Sequence, residues 1–267
     1  MTNTVPASAP EAKIRFSRND AVATLMLANP GKLNAIDLAM WRELSRLMAV
    51  IDADESIRCV LIQGEGEHFA AGGDLEEFVV ARATLEQALV YHEEVAAALN
   101  AIRHCVHPTL AMIRGNCIGG GLEIAASCDL RICDASARFG APINKLGFSM
   151  YPGEMAMLLK VCGQATVAEM LLEARILDAE EAARKNIVNR VVAPEALQTE
   201  VEAALRRILA GAPRVATWHK QWLRRLAHDT PLSEDEKKSA FAFLETEDYR
   251  EGLAAFLEKR KPVFSGK

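Results

Sequence analysis

A run of three glycines followed closely by a carboxylate is the stretch with the clearest chemical potential. Gly119, Gly120 and Gly121 precede an apolar segment that carries Glu123. Consecutive glycines let the backbone turn sharply, and a helix that starts there leaves its first amide N–H groups unpaired at the positive end of its dipole. Such a place stabilises negative charge. Glu123 could transfer protons beside it, or simply complement the helix dipole, and this stretch alone leaves both readings open.

A second turn of the same kind lies earlier in the chain. Small residues and glycines at 69–74 lead into Leu75 and a predicted helix. Gly72 and Gly73 therefore offer a second set of exposed backbone amides. The sequence thus predicts two amide-rich turns, each at the start of a helix.

The elements that must position these turns alternate between strand and helix. Apolar patterns predict strands over 14–16, 22–27, 59–63, 109–113 and 130–133, and helices over 37–52 and 84–103. This order indicates an α/β core, which we place at residues 11–195. Residues 196–267 are predicted to form a helical C-terminal region, with helices over 195–210, 215–227, 233–246 and 248–259. Residues 1–10 are predicted to be a loose tail.

Composition narrows the class of protein. Half of the 267 residues are apolar and a quarter are charged, which is typical of a soluble globular protein. The net charge of −5 argues against nucleic acid as a partner. Six irregularly spaced cysteines favour buried free thiols in a cytoplasmic protein over disulfides. We expect no membrane span, because no apolar run approaches the ~20 residues that one needs.

Several familiar motifs do not fit. A dinucleotide-binding G-x-G-x-x-G would need a third glycine where Ile124 or Phe69 stands, and Gly31-Lys32 lacks the Ser or Thr of a phosphate-binding loop. His104 and His107 do not have the spacing of a zinc-binding helix. We therefore expect no metal and no separate cofactor.

Six segments in order resemble the enoyl-CoA hydratase/isomerase family, the crotonases. They are residues 29–35, 69–75, 115–130, 139–142, 152–153 and 251–261. The resemblance implies an α/β fold, a crotonase-like spiral of ββα units with a helical C-terminal region. It also implies a homotrimer or a homohexamer, and an acyl-CoA thioester substrate in which coenzyme A is part of the substrate.

The resemblance also implies a catalytic arrangement. It places the thioester carbonyl oxygen between the backbone amides of Gly73 and Gly120, with Glu123 as general acid/base. An amide held in this way is worth ~3 kcal/mol of barrier. The positions implied for coenzyme A or substrate contact are Lys32, Leu33, Ala35, Ala70, Ala71, Gly72, Asp74, Ile143, Tyr151, Phe256 and Lys259. Among these, a structural role is favoured for Asp74, and Lys259 could be only part of a solvated charged helix end.

The chain departs from the family pattern at one catalytic position. Ile143 follows Pro142 where hydratases carry a second glutamate, and its side chain cannot exchange a proton. Glu154 is the candidate replacement, although it could also serve only the dipole of its helix. The sequence therefore predicts an enzyme that stabilises a thioester enolate and catalyses hydration or double-bond isomerisation of an enoyl-CoA. The alternative is a catalytically silent acyl-CoA-binding protein on the same fold.

Overall fold

The computed structural model describes residues 13–267, so the predicted tail at 1–10 lies outside the described residues. In chain order the strands β1–β9 are Lys13–Asn19, Val22–Ala28, Cys59–Gly64, Thr109–Ile113, Asn116–Ile118, Leu130–Asp134, Arg138–Gly140, Ile176–Asp178 and Arg190–Val192. The helices α1–α10 are Leu38–Asp52, Leu75–Ala81, Leu85–His104, Gly120–Ser127, Pro152–Leu172, Ala179–Arg184, Leu197–Leu209, Pro213–Leu226, Glu234–Ser239 and Glu247–Leu257. The predicted α/β class and helical C-terminal region are confirmed.

A six-stranded mixed sheet forms the centre of the fold. Its strand order is β1-β2-β3-β4-β6-β9, with β1 antiparallel to β2 and every later pair parallel. Because parallel strands need crossover connections, helices cover the sheet between them. The predicted strands of the α/β core correspond to members of this sheet.

A second sheet of three short strands, β5, β7 and β8, was not predicted. Strand β7 pairs parallel with β5 and antiparallel with β8. Each strand has three residues, which is too short to show a period of two in the sequence. This small sheet matters for function because β5 ends at Ile118, directly before the three glycines.

Apolar side chains fill both faces of the large sheet. On one face, α1 and α3 bury Trp41, Leu44, Leu99 and Ile102 in the main core. The opposite face is covered by α7, whose Leu197, Val201 and Ala204 pack against the strands in a second core. The first helix of the predicted C-terminal region therefore completes the packing of the sheet.

Helix α5 carries a break that bears on the membrane question. The segment Pro152–Leu172 has a mean hydropathy of 1.4 and the length of a membrane span, contrary to the expectation that no apolar run approaches that length. However, Gly163 has φ 76° and ψ 166°, so the helix is two shorter pieces that meet at a kink. Neither piece alone reaches the ~20 residues that a span requires.

The C-terminal helices differ from prediction in one place. Residues 233–246 do not form one helix, because α9 ends at Ser239 and a separate 3-10 turn, Ala242–Glu245, follows. Ser233 caps α9 by accepting from the Glu236 N–H, and the Glu236 carboxylate accepts in turn from the Ser233 N–H. This helix is one of the shortest in the protein, and none of its residues is buried.

Candidate active site

Two asparagines fix the loop at 29–36, which lies beside the segment that carries the first predicted amide donor, Gly73. The side chain of Asn34 donates to the carbonyl oxygens of Glu65 and His68, at 2.9 and 2.8 Å. The side chain of Asn29 donates to Ala35 O at 2.7 Å. These bonds fix the loop at 29–36 against the segment that precedes Gly72, because a buried amide left unpaired would cost free energy.

The N–H of Gly73 points away from the loop at 29–36. Ile36 forms a parallel bridge with Gly73, in which Ile36 N–H donates to Gly72 O at 2.8 Å and Asp74 N–H donates to Ile36 O at 2.9 Å. In such a bridge the N–H of the middle residue, Gly73, faces the opposite side. Within residues 13–267, this N–H has no hydrogen-bond acceptor.

The second predicted donor is brought to the same place by a matching register. Ala70 and Cys117 form a parallel bridge through bonds of 2.9 and 3.0 Å, and Gly73 and Gly120 each follow the paired residue by three positions. Gly120 is the first residue of α4, so its N–H has no partner within the helix. Both amides border one cavity.

Close packing explains why these positions are glycine. A Cβ atom on Gly73 would lie 2.7 Å from Phe78 Cζ, and one on Gly120 would lie 2.9 Å from Trp41 Cζ2. Gly119 has φ 49°, in the left-handed region that favours glycine. Alanine at Gly73 or Gly120 would therefore displace either the amide or the aromatic ring behind it.

The cavity has a volume of about 250 Å³ and a mostly apolar and aromatic lining. Eight of the predicted site residues border it: Ala71, Gly72, Gly73, Gly120, Glu123, Ile143, Tyr151 and Glu154. The volume is slightly below the usual ~300–1,000 Å³ of ligand pockets. The chamber therefore suits a small acyl group better than a whole coenzyme.

Glu123 is the buried carboxylate of this cavity. It lies in the first turn of α4, its side chain borders the cavity, and the residue is only 7% exposed. Burial raises its pKa well above the ordinary value for glutamate, and the nearby Glu154 raises it further, while Arg82 opposes the shift. A carboxyl group whose pKa is raised in this way can both give and take a proton near neutral pH.

Glu154, the predicted replacement for a second glutamate, borders the same cavity, and so does Ile143. Glu154 lies in the first turn of α5 and is 7% exposed. Its Oε1 lies 2.6 Å from Nδ1 of His92, on α3. The His92 ring stacks on the Tyr151 ring, with centroids 4.8 Å apart. The fold therefore brings two carboxylates together, one of them held by an imidazole.

An aromatic cluster with a central cation, which was not predicted from the sequence, also borders the cavity. The Arg82 guanidinium carbon lies 4.3 Å from the ring centre of Phe78, 5.0 Å from that of Phe148 and 5.7 Å from that of Tyr91. All four residues border the cavity. No motif marks Arg82, His92 or these rings, because they come from separate segments that only the fold joins.

Tyr91 contributes a buried hydroxyl. The residue is 3% exposed, and burial raises its pKa well above the ordinary value for tyrosine. The indole N–H of Trp41 lies near this hydroxyl. Within the described chain, however, neither of these two polar atoms has a partner in acceptable hydrogen-bond geometry.

Five of the predicted contact residues lie outside the cavity lining, in the flanking loops. Lys32 Nζ lies 2.6 Å from Asp74 Oδ2 and 2.8 Å from Glu76 Oε2. Asp74 also caps α2 by accepting from Glu76 N–H. Leu33 is exposed, whereas Ala35 and Ala70 are buried. The contacts of Asp74 agree with the structural role favoured for it, and the coenzyme role of the loop stays a prediction.

Phe256 and Lys259 are not brought to this cavity within one chain. Phe256, at the end of α10, is 80% exposed, and neither residue borders the cavity. Their assignment to coenzyme A therefore stays a prediction that depends on a second subunit. In the described part of the chain, no group of three or more His, Cys, Asp or Glu side chains could hold a metal ion.

Comparison with known proteins finds one family over nearly the whole chain. Residues 17–267 match the family model described as enoyl-CoA hydratase/isomerase. A probable enoyl-CoA hydratase of Mycobacterium bovis is 33% identical, covering 94% of this chain and 97% of its own length. A mitochondrial Delta(3,5)-Delta(2,4)-dienoyl-CoA isomerase of Dictyostelium discoideum is 30% identical, covering 94% and 90%. The crystal structure of an enoyl-CoA hydratase/carnithine racemase from Magnetospirillum magneticum superposes with a TM-score of 0.93 at 47% identity, covering 95% and 96%.

Proposed function

Because this chain belongs to the enoyl-CoA hydratase/isomerase family, we propose that it binds an enoyl-CoA thioester at the cavity and moves a proton on an enolate intermediate. The amides of Gly73 and Gly120 hold the thioester oxygen, and Glu123 acts as general acid/base. The observation that carries this proposal is the shared register of Gly73 and Gly120 beside a buried Glu123.

The proposed reaction depends on charge developing at one oxygen. Removal of a proton next to the thioester, or addition across its double bond, moves negative charge onto the carbonyl oxygen. Two fixed N–H donors in an apolar cavity stabilise this charge more strongly than water does, because they need no reorganisation. Glycine at both positions lets the backbone approach closely enough to donate.

Glu154 supplies the second carboxylate of the proposed mechanism. In hydration, one carboxyl group activates a water molecule and the other delivers the proton to carbon. In isomerisation, one group removes a proton from one carbon and the same or the other group returns it to a second carbon. Glu123 and Glu154 border the same cavity, so the pair serves either reaction, and the replacement at Ile143 does not leave Glu123 alone.

The proposed assembly is a trimer or a dimer of trimers. Phe256 and Leu257 are 80% and 78% exposed at the end of α10, and a neighbouring subunit would cover such apolar side chains. Light scattering after size-exclusion chromatography measures the subunit number directly, and a monomer would contradict this assignment.

The function is tested with 2-enoyl and 3-enoyl CoA esters in deuterated water, followed by mass spectrometry. A gain of one water identifies hydration, whereas deuterium incorporation with a moved double bond identifies isomerisation. We expect Glu123→Gln to abolish turnover and to leave binding of the ester intact, with the exposed Glu55→Gln as the control. Unchanged turnover by Glu123→Gln would contradict the assignment. Binding without turnover of any ester by the wild type would instead indicate the silent acyl-CoA-binding protein.

A further inference from the structure

Arg82 is a cation of the cavity that the proposed mechanism does not use. It is the C-cap residue of α2, partly buried, and its guanidinium lies against Phe78, Phe148 and Tyr91. Among the contacts of residues 13–267, its side chain makes no hydrogen bond, and no carboxylate oxygen lies within ion-pair distance of its guanidinium nitrogens. The charge therefore lies against aromatic rings, and Glu123 is near enough only for electrostatic attraction.

Other arginines of the protein have the hydrogen-bond acceptors that Arg82 lacks within the described chain. Arg131, which is buried, donates to the carbonyl oxygens of Ile187 and Cys128. Arg175 is bound by the carboxylates of Glu169 and Glu181. Arg82 is only partly buried, so water can reach its five N–H donors, and an anion that replaces this water would accept charge-assisted hydrogen bonds from them.

The geometry of the cluster leaves the donors of Arg82 free. Aromatic rings attract a guanidinium through its flat face, while its N–H groups point outward in the plane. That edge matches the two oxygens of a carboxylate, which accept paired hydrogen bonds from it. Because the Arg82 side chain makes no hydrogen bond within residues 13–267, its contacts with the three rings leave this edge available to an anion.

Arg82 is also close to the point where the thioester is anchored. The Phe78 ring lies between Gly73 and Arg82. Its Cζ would lie 2.7 Å from a Cβ atom added to Gly73, and its centre lies 4.3 Å from the guanidinium carbon of Arg82. Gly73 and Arg82 border the same cavity of about 250 Å³, so a short acyl chain held at Gly73 would extend in a chamber that Arg82 also borders.

We propose that this site selects acyl-CoA thioesters whose short acyl chain ends in a carboxylate, which Arg82 binds through its free N–H edge. The inference rests on the proposed function for the position of the thioester. A neutral chain leaves the guanidinium unpaired, and a chain that ends in a quaternary ammonium meets like charge at a ring cluster that Arg82 already occupies.

The two glutamates of the cavity do not oppose this selection. Glu154 is paired with the His92 imidazole at 2.6 Å. Burial raises the pKa of Glu123, which favours its uncharged form. The remaining titratable side chains of the lining are the hydroxyls of Tyr91 and Tyr151.

The test uses three saturated esters that the enzyme cannot hydrate. They are 4-carboxybutanoyl-CoA, its uncharged amide isostere 4-carbamoylbutanoyl-CoA, and the cationic 4-trimethylammoniobutanoyl-CoA. Titration calorimetry measures their affinities for the wild type, Arg82→Gln, Arg82→Lys and the control Arg46→Gln. Arg46 is exposed on α1, where it binds Glu43 outside the cavity.

We expect the wild type and Arg46→Gln to bind the carboxylate ester at least tenfold more tightly than the amide, and the cationic ester most weakly. Arg82→Gln should reduce the preference for the carboxylate to about twofold or less with little change for the amide, and Arg82→Lys should give an intermediate preference. Equal wild-type affinities for carboxylate and amide would overturn the proposal, as would an equal loss for both esters in Arg82→Gln. The wild-type comparison decides the matter even where a variant does not fold.

The same titrations separate this inference from the proposed function. A carboxylate preference in the wild type, combined with no turnover of any 2-enoyl or 3-enoyl ester, would support the role of Arg82 and contradict the proposed reaction. Turnover of neutral enoyl esters without a carboxylate preference would support the proposed reaction and contradict the role of Arg82. Absence of binding by all three esters would contradict both.

Discussion

The imidazole Nδ1 of His92 lies 2.6 Å from Oε1 of Glu154, although the two residues are 62 positions apart in the chain. The contact joins α3 to the first turn of α5 at the edge of the cavity. The His92 ring is itself held by stacking on Tyr151. His92 therefore fixes the direction of the Glu154 carboxylate, which makes it a positioning residue for the proposed second acid/base.

Replacing His92 tests this positioning role. We expect His92→Leu to lower kcat about tenfold with KM changed by less than about twofold, because a misdirected carboxylate affects the proton transfer more than binding. His92→Gln should recover most of the activity, since its amide can still donate to Glu154. In the His92→Leu background, Glu154→Gln should add little further loss, because residues that act as a unit are not additive. Fully additive losses would contradict the coupling.

The two glycine donors are tested by adding one methyl group. Gly120→Ala places a Cβ 2.9 Å from Trp41 Cζ2, and Gly73→Ala places one 2.7 Å from Phe78 Cζ, so in each variant the amide or the ring behind it must move. We expect kcat for an enoyl-CoA ester to fall by about 10²-fold in each variant, the usual cost of a lost oxyanion donor. Gly211→Ala is the control, because its nearest neighbour would lie at 3.5 Å. Retention of full kcat by both site variants would argue against an oxyanion role.

The raised pKa of Glu123 predicts in which direction its contribution to stability changes with pH. A carboxyl group whose pKa is higher in the folded state stabilises the fold fully below its unfolded pKa, and this contribution is lost as the pH rises through the folded pKa. Glu123→Gln has no charge to bury, so its stability relative to the wild type should increase from pH 5 to pH 9. Each unit of pKa difference corresponds to about 1.4 kcal/mol.

Thermal unfolding across that pH range measures the effect. The exposed Glu55→Gln should show no comparable trend, because its carboxylate stays hydrated. A difference between Glu123→Gln and the wild type that is constant with pH would show that Glu123 does not change its charge on burial.

Lys220 anchors the C-terminal helices to the core. Its side chain is 5% exposed, and its Nζ lies 2.7 Å from Asp129 Oδ2 and donates to His107 O at 2.8 Å. Asp129 is bound in turn by the backbone N–H and the hydroxyl of Thr109. Lys220→Met removes the donor to His107 O and leaves the partly exposed Asp129 carboxylate to water, and we expect a loss of about 2 kcal/mol in the free energy of unfolding.

Denaturant titration measures that loss, and a double-mutant cycle with Asp129→Asn isolates the pair. The two substitutions together should cost less than the sum of the single ones. The control Lys237→Met removes a lysine that pairs with Glu234 on the surface, where we expect a change below about 1 kcal/mol. Equal losses from Lys220→Met and Lys237→Met would show that the contacts of Lys220 stabilise the fold no more than a surface ion pair does.

The large elements of the fold could be predicted from sequence, because their signals are local. The helix at 84–103 and the strands near 59–63 and 109–113 carry their apolar periods within a single window. The three-residue strands β5 and β8 could not be found in this way, since their pairing depends on partners elsewhere in the chain.

By itself, the sequence determined which residues could form the oxyanion site and its first carboxylate. Glycine at Gly73 and Gly120 and the early helical position of Glu123 are local properties, visible in the order of residue types. Only the tertiary structure decided that Glu154 reaches the same cavity, that His92 holds it and that Arg82 stands unpaired among three rings. The physical reason is that these contacts join separate segments, and their distances are set by how helices pack over the sheets.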